Sequence, residues 1–506
     1  MNEFIQDIFK ELKKEIDIDF NVQEKNRKIF VNRNLKMKKV KMIGFDMDYT
    51  LAPYEKEAIE SLQYKMVQER LVNILDFPKE ILRYKYKSDF VVLGLFLDLK
   101  TGNLLKIDRY SFVIKGYHGL KQLTDDELHH TYRKNAAPLN LHDNFVRIDT
   151  LFSLPETSLF SQIVNDFPLG SFYDNFKNLY ENIRKMTDTI HRDNSLKTEI
   201  TSDLPKYIKK SIDLPLTLHN FRSIGKKIFL LTNSYFDYTD KVMTYLLDGA
   251  LNEYESWRDY FDLIIVGSQK PKFFGKGAEQ FRLDINGKII EDDASTTLSN
   301  PTKTKIFQGG NIEYLESFTE LKGENILYVG DHIYGDILKV KKTSLWRTCL
   351  IVEDLENEIA INEENKDMFK SLRRYDQKIN ILDSALNYQN MMAKSLKNSL
   401  ESSLTRSSLE IKVLSEMIAK SEDNIHKIKQ SLGKYTREYH VLNNTLNKRY
   451  NQYWGMTFKD DREKTKFSDQ MESFACLYTS RVTNFLFYSP KQYFRSPMEL
   501  MAHELG

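Results

Sequence analysis

Cysteine is nearly absent from this 506-residue chain: Cys349 and Cys476 are the full complement, far apart and in no C-x-x-C pair. Two such thiols make neither a disulfide framework nor a structural zinc site, and they suit a reducing compartment such as the cytoplasm. Charge of one sign is lacking too, since 74 Lys and Arg against 72 Asp and Glu leave +2. That balance excludes a global pull toward a nucleic acid polymer or an anionic membrane, so any anion site must be local. Long apolar runs are also missing. The longest, FVVLGLFL at Phe90–Leu97, is far short of the roughly 20 residues that span a bilayer. Met1–Phe20 has no continuous apolar stretch of the signal-peptide kind; its mixed pattern predicts an amphipathic helix, and the whole points to a soluble protein.

What is present is enough apolar material, 41% of residues, for the two or three structural units that this length implies. KMIGFD (41–46), Lys227–Thr232, Phe261–Val266, Asn325–Asp331 and Trp346–Val352 are short apolar runs of the kind that form buried parallel strands. About 180 residues separate the first two, far more than a helical crossover needs. An inserted, mostly helical cap is therefore expected, with helices at Glu57–Leu75 and Asn175–His191 and turns near Pro78, Pro138 and Pro168. Asn286-Gly287 in FRLDINGKIIED signals a hairpin in a smaller insert between Pro271 and Leu321. Proline is absent between Pro301 and Pro490, and Ser371–Tyr453 predicts two long helices around Gly433, whose ordinary purpose is packing or oligomer contact. The expected fold is α/β: a doubly wound parallel sheet with an inserted cap and long C-terminal helices. Its segments are 1–53 for the N-terminal helix and first strand, 54–215 for the cap, 216–366 for the remaining core and 367–506 for helices and tail packed on it.

The chemistry clusters where these strands end. Asp46 and Asp48 follow the first; one carboxylate can attack phosphorus while the other moves a proton, the plain alternative being a strand that ends in an Asp-rich loop. Two anions beside a phosphate call for a divalent cation. Thr232-Asn233-Ser234 offers hydroxyl, amide and backbone donors to phosphate oxygens, or plain helix caps. Lys270 and Lys272 flank Pro271, and either could neutralise the transferring group or sit in solvent. Asp331 and Asp336 can complete a hard-oxygen Mg²⁺ site, with His332 a loop residue rather than a ligand. All four groups fall at the carboxyl ends of different strands, the edge where open α/β sheets build sites.

GFDMDYTLA (44–52), FLLTNSYFDYTDKVMTYL (229–246), QKPKFF (269–274) and LYVGDHIYGDILKVKK (327–342) resemble the four motifs of the cytosolic purine 5'-nucleotidase family of the haloacid dehalogenase (HAD) superfamily. LLKIDRYSFVIKGYHG (104–119) and YSPKQYFRSPMELMAHE (488–504) extend the likeness along nearly the whole chain. The resemblance implies Asp46 as nucleophile and metal ligand, and Asp48 as general acid and base that lends its carbonyl to Mg²⁺. Thr232 and Lys270 would hold the phosphoryl group, Lys270 being preferred because it directly precedes Pro271. Asp331 would bind the metal and Asp336 support it. RKMTDTIHRDNSLK (184–197) is similar to that family's base-reading stretch, implying a purine nucleoside 5'-monophosphate read by Arg184 and Asp188 with His191 and Lys197 nearby; Asp149 stands where an amide is common. Arg184 and Asp188 taken alone are a surface i, i+4 pair. The resemblance also implies nucleoside phosphotransfer, nucleotide activation and a homo-oligomer such as a tetramer. The competing readings are a phosphatase for another small phosphate ester and a non-catalytic oligomeric scaffold.

Overall fold

The computed structural model describes residues 27–133, 144–275, 277, 279–290, 305–402 and 407–497; the N-terminal helix expected at Met1–Phe20 and the turn at Pro138 lie outside them. Nine strands, numbered along the chain, form the main sheet: β1 (Phe30–Val31), β2 (Met42–Phe45), β3 (Lys227–Leu231), β4 (Leu263–Val266), β5 (Gln280–Leu283), β6 (Lys305–Gly309), β7 (Ile326–Gly330), β8 (Arg347–Ile351) and β9 (Leu477–Thr479). Their order is β1-β9-β8-β7-β2-β3-β4-β6-β5. The seven inner strands run parallel, and β1 and β5 close the edges antiparallel. The fold is thus mixed α/β around a parallel sheet, and all five sequence-derived strands are in it.

Burial explains their composition. Every residue of β2, β4 and β7 is buried, so these strands need apolar side chains on both faces. Gly44 in β2 is forced by its neighbour: a Cβ there would stand 2.0 Å from the Phe229 ring of β3. Phe229, Phe274, Tyr328 and Trp346 pack together in the core of the molecule.

Between β2 and β3 lie α1 (Lys56–Leu75), α2 (Ser153–Asp166) and α3 (Phe176–Arg192). Helix dominates this insert, but it also carries a five-stranded antiparallel sheet built from Leu95–Asp98, Asn103–Ile107, Val113–His118, Lys121–Gln122 and Phe145–Ile148. The apolar run at Phe90–Leu97 feeds Leu95–Asp98, an inner strand of this sheet whose residues are all buried, between Asn103–Ile107 and Phe145–Ile148. The Asn286-Gly287 turn exists as a short hairpin bridging Leu283 and Ile289, with Gly287 at φ 81°. Most of β5 pairs instead with β6.

By its internal contacts the chain forms two compact units, Asn357–Met456 and the rest. The smaller one contains α5 (Lys366–Glu401) and α6 (Ser408–Tyr450), while α4 (Phe236–Leu247) belongs to the larger. The division between the two long helices is not at Gly433, which sits inside α6. Instead α6 starts at Ser407, whose hydroxyl and backbone N–H exchange bonds with Glu410, a capping box that fixes the boundary. Leu372, Tyr439 and Leu446 are the buried centre of this unit, flanked by Tyr375, Ile379 and Leu442. That spacing of three and four along each helix is the seam of an antiparallel pair. Among the described residues no helix is long and apolar enough to cross a membrane.

Candidate active site

Asp46 directly follows β2, and its N–H continues the strand pairing by donating to the Val329 carbonyl, 2.9 Å away on β7. Chain direction therefore delivers the carboxylate to the sheet's carboxyl edge, where β2 lies between β7 and β3. The next turn is tight: the N–H groups of Thr50, Leu51 and Ala52 all donate to the Met47 carbonyl, and Tyr49 sits at φ 55°. This turn presents Asp46 and Asp48 together.

Asp46, Asp331 and Asp336 bring carboxylate oxygens within 4.8 Å of one another. Lys270 Nζ bridges two of them, 2.8 Å from Asp46 Oδ2 and 2.8 Å from Asp336 Oδ1. It also donates to the Tyr328 hydroxyl at 2.9 Å, and Tyr328 passes a hydrogen bond to the Leu231 carbonyl. Lys272 is exposed, so of the two lysines it is Lys270 that faces the cluster. Asn233 braces it: its Oδ1 accepts from the Lys270 N–H at 2.5 Å and from Ser268 Oγ, and its Nδ2 donates to the Lys270 carbonyl. Asp336 approaches Gly330 so closely that a Cβ there would lie 2.5 Å from its Oδ2. His332 Nδ1 faces the N–H groups of Tyr334 and Gly335, as a cap for the following turn.

Burial pushes the Asp46 carboxyl up to about 7; Lys270 opposes this, while Asp336 and Asp48 add to it. Burial, then Asp46 and Asp336, push Asp331 well above the usual carboxylate range. Burial acts against the Lys270 ammonium, but Asp336 and then Asp46 outweigh it and hold its pKa above the ordinary value. One cation beside three carboxylates, Asp46 and Asp336 buried and Asp331 half-buried, leaves negative charge uncompensated. An all-oxygen set of this kind fits a hard divalent cation, which would neutralise that surplus.

Asp48 has both oxygens occupied. Tyr54 donates its hydroxyl to Oδ1 at 2.6 Å and Ser234 Oγ donates to Oδ2 at 3.0 Å. Thr232 is buried and its Oγ1 accepts from the Ser234 N–H at 3.1 Å.

The residues of the insert between β2 and β3 fall into two groups. His191 stacks edge-on against Phe152 at 5.4 Å, and Phe152 stacks in turn against Tyr49 at 5.0 Å. Lys197 Nζ stands 5.1 Å over the Tyr238 ring, whose hydroxyl bonds to that of Tyr54. His191 and Lys197 are thus one aromatic layer from the Asp46–Asp48 turn. Burial, then Lys197 and Arg184, lower the His191 pKa to about 4, and burial lowers that of Lys197 against the pull of Asp48. Arg184 and Asp188 lie farther along α3 and pair at 3.1 Å. Arg184 is also 3.0 Å from Glu156, which is fully buried. A shallow groove of about 250 Å³ follows this face of α3, lined by Tyr180, Arg184, Asp188 and Arg192 among others. Asp149 is raised by burial, with His332, Arg147 and Arg184 close enough to counter that.

Sequence reading missed Tyr54, Tyr238, Phe152 and Glu156. An isolated phenylalanine after a strand carries no signal by itself. Glu156 had none either: its helix is buried throughout Ser153–Val164 although Ser153, Thr157, Ser158, Ser161 and Gln162 make it read as partly polar.

The sequence model of the 5' nucleotidase family matches residues 29–506. This chain belongs to that family. It is accordingly a 5'-nucleotidase of the HAD-type, metal-dependent phosphatase group, with the acidic cluster such a group requires. It is 28% identical over 465 residues to a 5'-nucleotidase domain-containing protein of Dictyostelium discoideum, covering 91% of this chain and 72% of that one. It is 31% identical over 344 residues to 5'-nucleotidase domain-containing protein 2 of Homo sapiens, covering 66% of this chain and 64% of the human one.

Proposed function

We propose that this 5'-nucleotidase removes phosphate from purine nucleoside 5'-monophosphates through an aspartyl-phosphate on Asp46, with Mg²⁺ as its cation. The observation that carries this reading is the lysine-bridged carboxylate cluster at the carboxyl edge of the sheet. Asp46, with its oxygens oriented by Lys270 and the Met47 N–H, attacks phosphorus in line with the leaving oxygen. Asp48 gives a proton to the 5'-oxygen and then takes one from the water that hydrolyses the acyl phosphate. Thr232 and Lys270 hold the phosphoryl oxygens, Ser234 stands beside them on Asp48 Oδ2, and Asn233 keeps the Lys270 loop in place. Asp46, Asp331 and the Asp48 carbonyl would hold Mg²⁺, with Asp336 supporting them. When bound, the ion supplies charge neutralisation to the phosphoryl group.

The base would enter beside Phe152, whose ring offers a stacking face, toward Arg184 and Asp188, while His191, Lys197 and Asp149 line the path from the phosphate. A second nucleoside that reaches the acyl phosphate before water would receive the phosphoryl group, making the enzyme a phosphotransferase as well. The larger frame of the proposal is a HAD-like core with a cap over residues 54–215, working as a cytoplasmic homo-oligomer such as a tetramer. The test is phosphate release from IMP, GMP, AMP, pyrimidine monophosphates and sugar phosphates, with Mg²⁺ or EDTA. Release confined to Mg²⁺ and favouring purines is expected; equal or greater turnover of a sugar phosphate would overturn the substrate assignment.

A further inference from the structure

Resting on the assignment of Asp48 as the group that moves the proton, the geometry points to Tyr54, backed by Tyr238, as a positioning residue that makes Asp48 Oδ2 the oxygen that carries it.

Tyr54 has one hydroxyl proton, and it is directed to Asp48 Oδ1 at 2.6 Å. The Tyr54 oxygen also lies 2.7 Å from the Tyr238 hydroxyl. With its own proton committed, Tyr54 can only accept there, so Tyr238 must be the donor. The order is Tyr238 O–H to Tyr54 O–H to Asp48 Oδ1. Both rings are buried, at 1% and 6% exposure, so water does not compete for this relay. A proton on Oδ1 would face the Tyr54 proton, and to accept it Tyr54 would have to turn its own proton against that of Tyr238. Oδ2 has no such conflict. Its partner is the Ser234 hydroxyl at 3.0 Å, a single rotor able to donate to the carboxylate or accept from the acid.

In the first step the Oδ2–H bond breaks as a new O–H bond forms at the leaving 5'-oxygen, and the P–O bond electrons stay on that oxygen. In the second, water loses a proton to Oδ2 while its oxygen bonds to phosphorus and the Asp46–phosphorus bond breaks. Neither step changes the protonation of Tyr54. Its work is to keep Oδ1 out of the proton transfer and to fix the rotation of the carboxyl group. The Lys197 ammonium over the Tyr238 ring connects this relay to the cap.

The test compares kcat/KM, which reports formation of the acyl phosphate, on two substrates of the full chain with Mg²⁺. IMP leaves as a poorly stabilised alkoxide and needs the acid; p-nitrophenyl phosphate leaves as a stable phenolate and does not. Tyr54→Phe removes the donor to Oδ1 while keeping the ring. It is expected to lower the IMP to p-nitrophenyl phosphate ratio of kcat/KM by about tenfold or more, within the 10²–10⁴ that general acid catalysis supplies. Tyr238→Phe should move the ratio in the same direction by less, and it stands in if Tyr54→Phe does not fold. Asp48→Asn is the reference. If Asp48→Asn lowers the ratio and neither tyrosine variant does, the positioning role is wrong and the nucleotidase assignment stands. If Asp48→Asn leaves the ratio where it was, the acid assignment fails and this inference fails with it.

Discussion

Replacing Asp331 by asparagine should make the chelated enzyme more stable while removing its activity. Carboxylate oxygens of Asp46, Asp331 and Asp336 lie within 4.8 Å of one another. Two unit charges at that separation repel by about 3.5 kcal/mol at an effective dielectric of about 20. Lys270 touches Asp46 and Asp336 but not Asp331, so it offsets only part of this. The amide of Asp331→Asn would keep the shape and remove one charge, and a gain of about 1–3 kcal/mol is expected in EDTA at pH 8. The pH dependence has a definite sign. Carboxyls whose pKa is raised in the folded state bind more protons there than in the unfolded chain, so the stability they contribute is full below pH 4 and lost as pH rises. For Asp46 that loss runs from about pH 4 through about 7. Urea titrations of both proteins at pH 5 and pH 8, in EDTA and in Mg²⁺, measure all of this. The parent chain should gain about 2.7 kcal/mol from Mg²⁺ at 100 times its Kd, and Asp331→Asn should gain almost nothing. A variant less stable than the parent in EDTA at pH 8, or one still stabilised by Mg²⁺, would refute the reasoning.

Gly330→Ala places a methyl 2.5 Å from Asp336 Oδ2; displacing that carboxylate should cost about 1–3 kcal/mol and lower kcat about a hundredfold, and unchanged kcat would show that Asp336 has room. Arg184→Ala removes the cation facing fully buried Glu156. The loss expected is about 2–4 kcal/mol in unfolding free energy together with a raised KM for purine monophosphates; a stability loss with unchanged KM would remove Arg184 from base recognition. His191 should remain a neutral imidazole down to about pH 4. Because its folded pKa is depressed, the stability tied to it is present above about pH 6.5 and falls away toward pH 4, and an imidazole NMR midpoint near 6.5 would contradict its burial.

The sheet could be read from the sequence because parallel strands are buried on both faces and appear as unbroken apolar runs. Asp46, Thr232, Lys270 and Asp331 followed because each stands one to four residues beyond such a run. The cap sheet was harder. LFLD and NLLKI are rich in apolar residues, yet lie next to turn residues in a region dominated by helices, and besides pairing with its neighbour NLLKI, LFLD pairs with Phe145–Ile148 about 50 residues away. Gly433 misled for a physical reason: one glycine in a 43-residue helix costs about 1 kcal/mol, which the long apolar seam outweighs. The true boundary was visible as Ser407-Ser408-Leu409-Glu410, a capping box. Tyr54 and Tyr238 could not be paired by reading, because only the closeness of β2 and β3 brings residues 184 positions apart into hydrogen-bond contact.

The central claim is that phosphorus becomes covalently attached to Asp46. Acid quench of the enzyme turning over 5'-³²P-labelled IMP with Mg²⁺, followed by peptide mapping, measures it directly. The account predicts a hydroxylamine-labile label on the peptide containing Asp46, absent from Asp46→Asn; full turnover by Asp46→Asn, or label on any other residue, would contradict it.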